Sequence, residues 1–231
     1  MSTPAVRPSR GFMAAAAALP LALAGSAFGA VIIDDFSDTF AAWPHALDVA
    51  GTQVLIDEGG IAGTIGDERR SQLFLATTDV PGLDSVSLAI DPSGTGLLDY
   101  SSTAGADGSL SLSYLDLVAD LSSELFISLD IVAYDAPGSA PMPVTLDLVS
   151  VDGSATATLD ASGGPEKLLF FFAGLTTSGN FDLSEISEIS LAFDPGVAGD
   201  FRLNGIFADV PAPAALPLLA IAALTTRRRR R

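Results

Sequence analysis

Carboxylates dominate the chemistry that this sequence can offer. The chain of 231 residues carries 28 Asp and Glu, one His and no Cys. One imidazole and no thiolate are too few ligands for a zinc or copper site. A serine nucleophile would need His45 beside it, and the sequence alone does not place His45 near any serine. Calcium prefers hard oxygen ligands, which this chain has in excess.

Paired carboxylates are also the catalytic groups of glycoside hydrolases. The acids here are so frequent that many pairs should fall within catalytic distance by chance, and nothing in the sequence marks two of them as buried. The HExxH, GxSxG and phosphate-binding glycine motifs are absent. We therefore expect a protein that is not an enzyme, with a glycosidase or lyase on the same scaffold as the alternative.

The charge is concentrated in the middle of the chain. All 28 acidic residues lie between Asp34 and Asp209, against four basic ones there, which gives this span a net charge of −24. The four basic residues are Arg69, Arg70, Lys167 and Arg202. Such a surface repels the phosphates of nucleic acid, which is thereby excluded as a partner, and attracts divalent cations.

Hydrophobic alternation with a period of two recurs through residues 30–209, most clearly at 109–114 and 144–148. This pattern indicates half-buried strands, and clusters of Gly, Pro, Asp and Ser separate them. The sequence predicts eleven strands, at residues 31–35, 53–56, 72–77, 85–90, 109–114, 125–133, 144–148, 155–159, 167–173, 186–193 and 201–208. We expect an all-β domain, a two-sheet antiparallel β-sandwich that is jelly-roll-like, with the apolar run 168–172 in a central strand.

The two ends of the chain differ from this domain. Residues 1–29 contain two arginines, an apolar stretch and then small residues, which is the layout of a secretory signal peptide. Residues 210–231 contain Val210-Pro211-Ala212-Pro213, a short apolar segment and five arginines, Arg227 to Arg231. As a helix, 212–226 would extend about 23 Å at 1.5 Å per residue, a marginal transmembrane helix. The arginines would fix its end in the cytoplasm by the positive-inside rule.

A Pro-containing hinge, a short apolar stretch and a terminal arginine cluster together resemble the sorting tail of PEP-CTERM proteins. Ala212 stands where that family has a glutamate. The resemblance implies an exported protein that the tail holds in the inner membrane until an exosortase, a sorting enzyme, cuts near Val210 to Pro213. A tail anchor that is never cut is the alternative.

The opening VIIDDFSDTFAAWP and the closing FDLSEISEISLAFDPGVAGDFRLNGIFADVP resemble the first and last strands of carbohydrate-binding-module-like domains. In such domains the terminal strands often share a structural calcium, so the resemblance makes Asp34, Asp35, Asn204 and Asp209 candidate ligands. Turn-capping carboxylates are the alternative for these residues.

Three further residues are candidates for contact with a glycan. Trp43 could stack on a sugar ring, although beside Pro44 it could equally close the edge of the sandwich. Arg69 and Arg70 form the cationic pair of the domain and could hold an acidic sugar, or could make internal salt bridges to Asp67 or Glu68.

The sequence therefore predicts a protein that leaves the cell by the general secretory route and is anchored in the inner membrane before its tail is cut. The mature form would be a non-catalytic protein of the cell surface or extracellular matrix, associated with extracellular polysaccharide in a biofilm. The expected partners are an exosortase-type enzyme and that polysaccharide.

Overall fold

A computed structural model of the chain describes residues 30–37, 45–92, 94–135 and 140–209. Fourteen strands in these residues form two sheets, and every strand pair is antiparallel. The predicted all-β, two-sheet sandwich is confirmed. Among the described residues the helical segments are single 3-10 turns, at Ile65–Asp67, Phe172–Gly174 and Leu183–Glu185.

Sheet A has seven strands in the order β11-β8-β14-β6-β5-β2, and β1 pairs with β14 beside β6. Its strands are β1 (Val31–Asp34), β2 (His45–Leu47), β5 (Val86–Ile90), β6 (Leu98–Ser102), β8 (Phe126–Asp135), β11 (Glu166–Phe171) and β14 (Asp200–Asp209). The first and last strands of the domain are thus direct neighbours, with Val31 opposite Ala208.

Sheet B also has seven strands, in the order β12-β10-β9-β13-β7-β4-β3. Its strands are β3 (Thr52–Gly59), β4 (Glu68–Thr78), β7 (Ala106–Tyr114), β9 (Met142–Ser150), β10 (Gly153–Ala161), β12 (Thr176–Gly179) and β13 (Ile186–Phe193). In β7 buried and half-buried positions alternate without a break, because every second residue faces the other sheet.

The core fills the space between the two sheets. Leu110, Leu112 and Tyr114 of β7 are buried there, and the rings of Tyr100 and Phe201 from sheet A stack with their centroids 5.0 Å apart. Each such fully buried large side chain stabilises the fold by about 1.5–3 kcal/mol. The alternation of Leu and Ser that predicted this strand also orients its hydroxyls away from the core.

One prediction about position is wrong. The apolar run at 168–172 was expected in a central strand, but among the described strands β11 lies at the edge of sheet A and pairs with β8 alone. Its second apolar face is exposed rather than covered, since Phe171 keeps 50% of its surface accessible. The apolar residues on the outer face of β11 form part of an exposed apolar patch.

All eleven predicted strands are present, and β2, β6 and β12 were missed. The ends of the chain, residues 1–29 and 210–231, lie outside the described residues, so the predicted signal peptide, sorting tail and domain boundaries stay predictions. Within the described ranges no helix is long and apolar enough to cross a membrane.

Candidate functional site

The outer face of sheet B carries a row of uncharged side chains that crosses six strands. Cross-strand pairing places one residue of β3, β4, β7, β13, β9 and β10 side by side. We call this set the neutral row, and it comprises Leu55, Gln72, Ser111, Ala192, Thr145 and Thr158. All six side chains are exposed or half-buried, since the alternate positions on each strand face the core.

Hydrogen bonds already order part of this face. Gln72 Nε2 donates to Gln53 Oε1 over 2.7 Å, and the hydroxyls of Thr145 and Thr158 lie 2.9 Å apart. Each amide and hydroxyl has further donor or acceptor capacity beyond these bonds. These polar groups are already oriented, so binding a ligand on this face costs less conformational entropy.

A depression of about 340 Å³ lies at one end of this face. Phe74 lines it together with Gln53, Gln72, Ser109 and Ser111. Phe74 is half-buried, and it is the one aromatic residue among the outward-facing strand positions that the structure describes in sheet B. An aromatic face beside amides and hydroxyls can pack against the apolar face of a pyranose ring while its hydroxyls are hydrogen-bonded.

A second depression, of about 270 Å³, lies two to four residues further along the same strands. Asp57, Glu68, Arg70 and Ser113 line it, and Arg70 Nε donates to the Asp57 carboxylate. From Phe74 to Glu68 the distance along β4 is about 20 Å, at 3.3 Å per residue. The two depressions thus mark a polar strip that is neutral at one end and zwitterionic at the other.

A buried ionic cluster lies under the charged end of the strip and joins the two sheets. Arg69 of β4 donates through Nη1 to Asp34 Oδ2 of β1 and through Nε to Glu58 Oε2 of β3, each over 2.8 Å. Tyr114 donates its hydroxyl to Asp34 Oδ2 over 2.8 Å. We call Asp34, Glu58, Arg69 and Tyr114 the inter-sheet cluster, and none of them is more than 3% exposed.

Burial and charge shift the pKa values in this cluster. Burial raises the pKa of Asp34, and the positive charge of Arg69 offsets only part of that increase. Burial also raises the pKa of Tyr114 well above its usual value, and the Asp34 charge raises it further. Burial alone would lower the pKa of Arg69, but the charges of Asp34 and Glu58 outweigh it and the net shift is upward. The cluster therefore holds a permanent guanidinium cation.

The structure separates the two arginines that were predicted as a pair. Arg69 is 2% exposed and gives its guanidinium to Asp34 and Glu58, so it is not placed to contact a surface ligand. Arg70 faces outward and pairs with Asp57. Both arginines make internal salt bridges, but the expected partners Asp67 and Glu68 are wrong. Neighbouring residues in a strand point to opposite faces and do not contact each other. Side chains on adjacent strands or on facing sheets can do so.

The four residues considered as calcium ligands are not brought together. Asp34 faces Arg69 in the core, Asp35 Oδ1 accepts from both Ser37 N and Ser37 Oγ, and Asn204 Nδ2 donates to Asp130. Asp209 ends β14 and lies beside the first residues of β1. No group of three or more candidate metal ligands occurs within the described ranges. Calcium binding stays a prediction.

The remaining predicted residues lie outside the part of the chain that the structure describes. They are Trp43, the hinge Val210, Pro211, Ala212 and Pro213, and the arginines Arg227, Arg228, Arg229, Arg230 and Arg231. His45 is described and lies in the edge strand β2, opposite Leu88.

Sequence reasoning missed the neutral row. Its members are ordinary residues on six different strands, and only the register of the sheet aligns them. The one available signal was the regular serine spacing at Ser109, Ser111 and Ser113, which predicts a hydroxyl-bearing strand face but not its neighbours.

Comparisons with known proteins give only distant similarities. No model of a known protein family matches the chain. No curated protein matches it either. Among solved structures, the family 11 carbohydrate-binding module of cellulase Lic26A-Cel5E of Clostridium thermocellum aligns with a TM-score of 0.42 and 14% identity, over 81% of this chain and 99% of that one. A second alignment, with the agarase AgWH50C, has a TM-score of 0.43 and 13% identity, over 80% of this chain and 25% of that one.

A third alignment is with a family 28 module described as specific for non-crystalline cellulose, with a TM-score of 0.31 and 15% identity over 78% of this chain and 92% of that one. Similarity at this level assigns neither a family nor a ligand. The function of this chain therefore has to be inferred from its own surface.

Proposed function

We propose that the domain at residues 30–209 binds a neutral polysaccharide chain along the outer face of sheet B, without catalysing a reaction. One observation carries the proposal. In a domain with a net charge of −24, the central row of this face contains no charged side chain across six strands. Hydroxyl and amide groups there match the hydroxyls of a neutral sugar polymer as donors and acceptors.

The overall charge supports a neutral ligand over an acidic one. A polyanion would be repelled by the surrounding carboxylates, and the exposed Arg70 is already paired with Asp57. The neutral row crosses six strands, a length of about 24 Å at 4.8 Å per strand, which matches an extended polymer better than a single sugar. A shallow polar strip with few aromatic contacts favours weak, many-point binding.

The inter-sheet cluster also supports a binding role. A glycosidase needs two carboxylates that converge on an open cleft, one of them protonated. The buried carboxylates of Asp34 and Glu58 converge instead on Arg69. A carbohydrate-active enzyme remains the second candidate through the surface carboxylates Asp57 and Glu68, which line the charged depression.

Binding can be measured by affinity electrophoresis of the full chain through gels containing a soluble neutral glucan, a soluble galactan or anionic alginate. We expect retardation by a neutral polymer and none by alginate. Phe74→Ala and Gln72→Ala should each weaken binding at least tenfold, about 1.4 kcal/mol, because Gln72 belongs to the neutral row and Phe74 lines the depression beside it.

Phe171→Ala is the matched control, since it also removes an outward-facing phenylalanine, but from sheet A. Equal retardation of Phe74→Ala and the parent chain by every polymer would contradict the proposed face. Release of reducing ends during incubation with the polymer would favour the enzyme alternative.

The proposal for the whole chain adds export and processing. Residues 1–29 would direct secretion, and the tail would hold the protein in the inner membrane until an exosortase-type enzyme cuts near Val210 to Pro213. The mature form would then join a polysaccharide matrix at the cell surface. Intact mass measurement of the protein recovered from cells tests this, since a mature surface form that still contains Arg227 to Arg231 would contradict processing.

Calcium binding by Asp34, Asp35, Asn204 and Asp209 also stays a proposal, and it would require these side chains to move together and Asp34 to leave Arg69. A site that ties the terminal strands would raise the melting temperature in calcium more than in sodium at equal ionic strength. Equal responses to the two salts would leave only diffuse screening by counterions.

A further inference from the structure

The outer face of sheet A carries an exposed apolar patch that the core does not use. Cross-strand pairing aligns Leu169 of β11, Ser128 of β8, Phe207 of β14 and Ile32 of β1 in one row. The next row places Phe171 opposite Phe126, and their rings meet edge to face with centroids 5.4 Å apart. We call Ile32, Leu169, Phe171 and Phe207 the sheet A patch.

The patch is accessible, although its residues belong to regular strands or adjoin them. Ile32 is 46% exposed and Phe171 50%. Contiguous exposed apolar residues on a highly charged domain usually mark a surface that another segment or molecule covers. Here the pairing of four neighbouring strands makes the residues contiguous.

The described part of the chain ends at the edge of this patch. Asp209, the last described residue, lies opposite Phe126 in the row that contains Phe171, and Leu125 N donates to Asp209 O. Twenty-two residues follow Asp209, so the segment 210–231 starts against the patch. Its residues 214–224 are all apolar or Pro, which is the composition that would bury the patch.

An acidic depression of about 340 Å³ lies on the same face at the other end of β14. Asp99, Asp135 and Asp200 line it, together with Arg202, whose Nε lies 2.7 Å from Asp99 Oδ1. With Arg202 paired, Asp135 and Asp200 leave excess negative charge there. The distance along β14 from Phe207 to Phe201 is about 20 Å, at 3.3 Å per residue.

The tail has matching dimensions and charge. As a helix, residues 212–226 would extend about 23 Å, which is close to the separation of the patch from the acidic depression. The five arginines at 227–231 follow immediately. A tail laid back along β14 would therefore put apolar side chains on the patch and arginines at the depression.

We propose that in water, before insertion into a membrane, residues 212–231 dock on the outer face of sheet A. The apolar segment covers the sheet A patch and Arg227 to Arg231 bind the carboxylates of Asp135 and Asp200. This docking is independent of polysaccharide binding, which uses the opposite sheet.

Two other occupants are less favoured. The N-terminal apolar segment 12–25 precedes β1, whose Val31 pairs with Ala208, but only two arginines, Arg7 and Arg10, lie next to it in sequence. A bilayer with anionic lipids would be repelled by a domain of net charge −24. The tail alone combines apolar length with a compact positive charge.

Engineered disulfides test the docking, because the chain has no cysteine of its own. The full chain in detergent-free buffer would carry Thr226→Cys with Ser101→Cys, at the rim of the acidic depression. The matched control pairs Thr226→Cys with Thr158→Cys, which is also exposed but lies on the outer face of sheet B. We expect the first pair to form its intramolecular disulfide at least tenfold faster than the second, at a rate independent of protein concentration.

Two further variants separate docking from chance proximity. Replacing Arg227 to Arg231 by serine, or Leu169 and Phe171 together by serine, should each reduce the advantage of the first pair, while the melting temperature of the domain changes little. Equal rates for the two pairs, or an advantage that survives both variants, would overturn the proposal. So would faster pairing of Ser101→Cys with Ala18→Cys, because the N-terminal segment would then be the occupant.

Discussion

At the scale of single residues, Arg69 and Arg70 show how strand geometry separates neighbours. One residue apart, they point to opposite faces of sheet B, so Arg69 enters the core and Arg70 remains at the surface. Their ion pairs therefore differ in kind. The buried pairs link β4 to β1 of the other sheet, whereas the exposed pair with Asp57 is screened by water.

Arg69→Met tests the inter-sheet cluster. The substitution leaves Asp34 and Glu58 buried without their cation, and we expect a loss of about 3–5 kcal/mol in the free energy of unfolding. Arg70→Met removes a cation of equal charge and should change stability little. Urea unfolding of the two variants measures both effects, and similar losses would show that the buried ion pairs have no special role.

Asp34 should also give the stability a specific pH dependence. Its pKa in the folded chain lies above the ordinary value of 3.8, because burial outweighs the charge of Arg69. Folding therefore takes up a proton, and the resulting stabilisation is complete below pH 3.8 and disappears as the pH rises through the folded pKa.

Asp34→Asn has no such titration. We expect the stability advantage of the parent chain over Asp34→Asn to grow as the pH falls towards 3.8. Urea unfolding of both proteins across that range measures the difference. An advantage that shrinks on acidification would mean that the ion pair, rather than burial, dominates the pKa of Asp34.

At the scale of strands, β11 shows two faces with different environments. Phe170 is 1% exposed and faces the core, while the adjacent Phe171 is 50% exposed on the sheet A patch. We expect Phe170→Ala to cost about 3–5 kcal/mol through lost burial and a residual cavity. Phe171→Ala should cost much less. Thermal or urea unfolding of this pair checks the register, since equal losses would mean that both faces are covered.

The strands differ in how far the sequence could predict them. Those predicted correctly alternate apolar and polar residues, as β7 does at Leu110 and Leu112. The strand β12 has four exposed residues, Thr176 to Gly179, so it carries no apolar signal. In β2 only three residues pair, and in β6 the flanking turn formers hid the alternation of Leu98 and Tyr100.

The candidate site was less predictable than the strands, because it depends on partners that are distant in sequence. Arg69 bonds Asp34, which lies 35 positions earlier. The neutral row likewise takes one residue from each of six strands. Alternation predicts which face a side chain occupies, but only the strand order and register determine which side chains become neighbours.

At the scale of the whole molecule, most of the negative charge of residues 30–209 is not neutralised by a positive side chain. Residues 30–209 contain 28 acids and four bases, and three of the bases, Arg69, Arg70 and Arg202, are already in ion pairs. Carboxylates that repel one another disfavour the compact state. The fold keeps these charges close together because burial of the apolar core between the two sheets offsets their repulsion.

Salt should therefore stabilise this domain. Raising sodium chloride from 10 mM to 500 mM shortens the Debye length from about 30 Å to less than 5 Å and screens the repulsion among surface carboxylates. The inter-sheet cluster is buried and should be affected little, so we expect a net increase in the melting temperature. Circular dichroism melting across the salt series measures it. A melting temperature that falls with salt would mean that exposed ion pairs such as Arg202 with Asp99 stabilise the fold more than the remaining acids destabilise it.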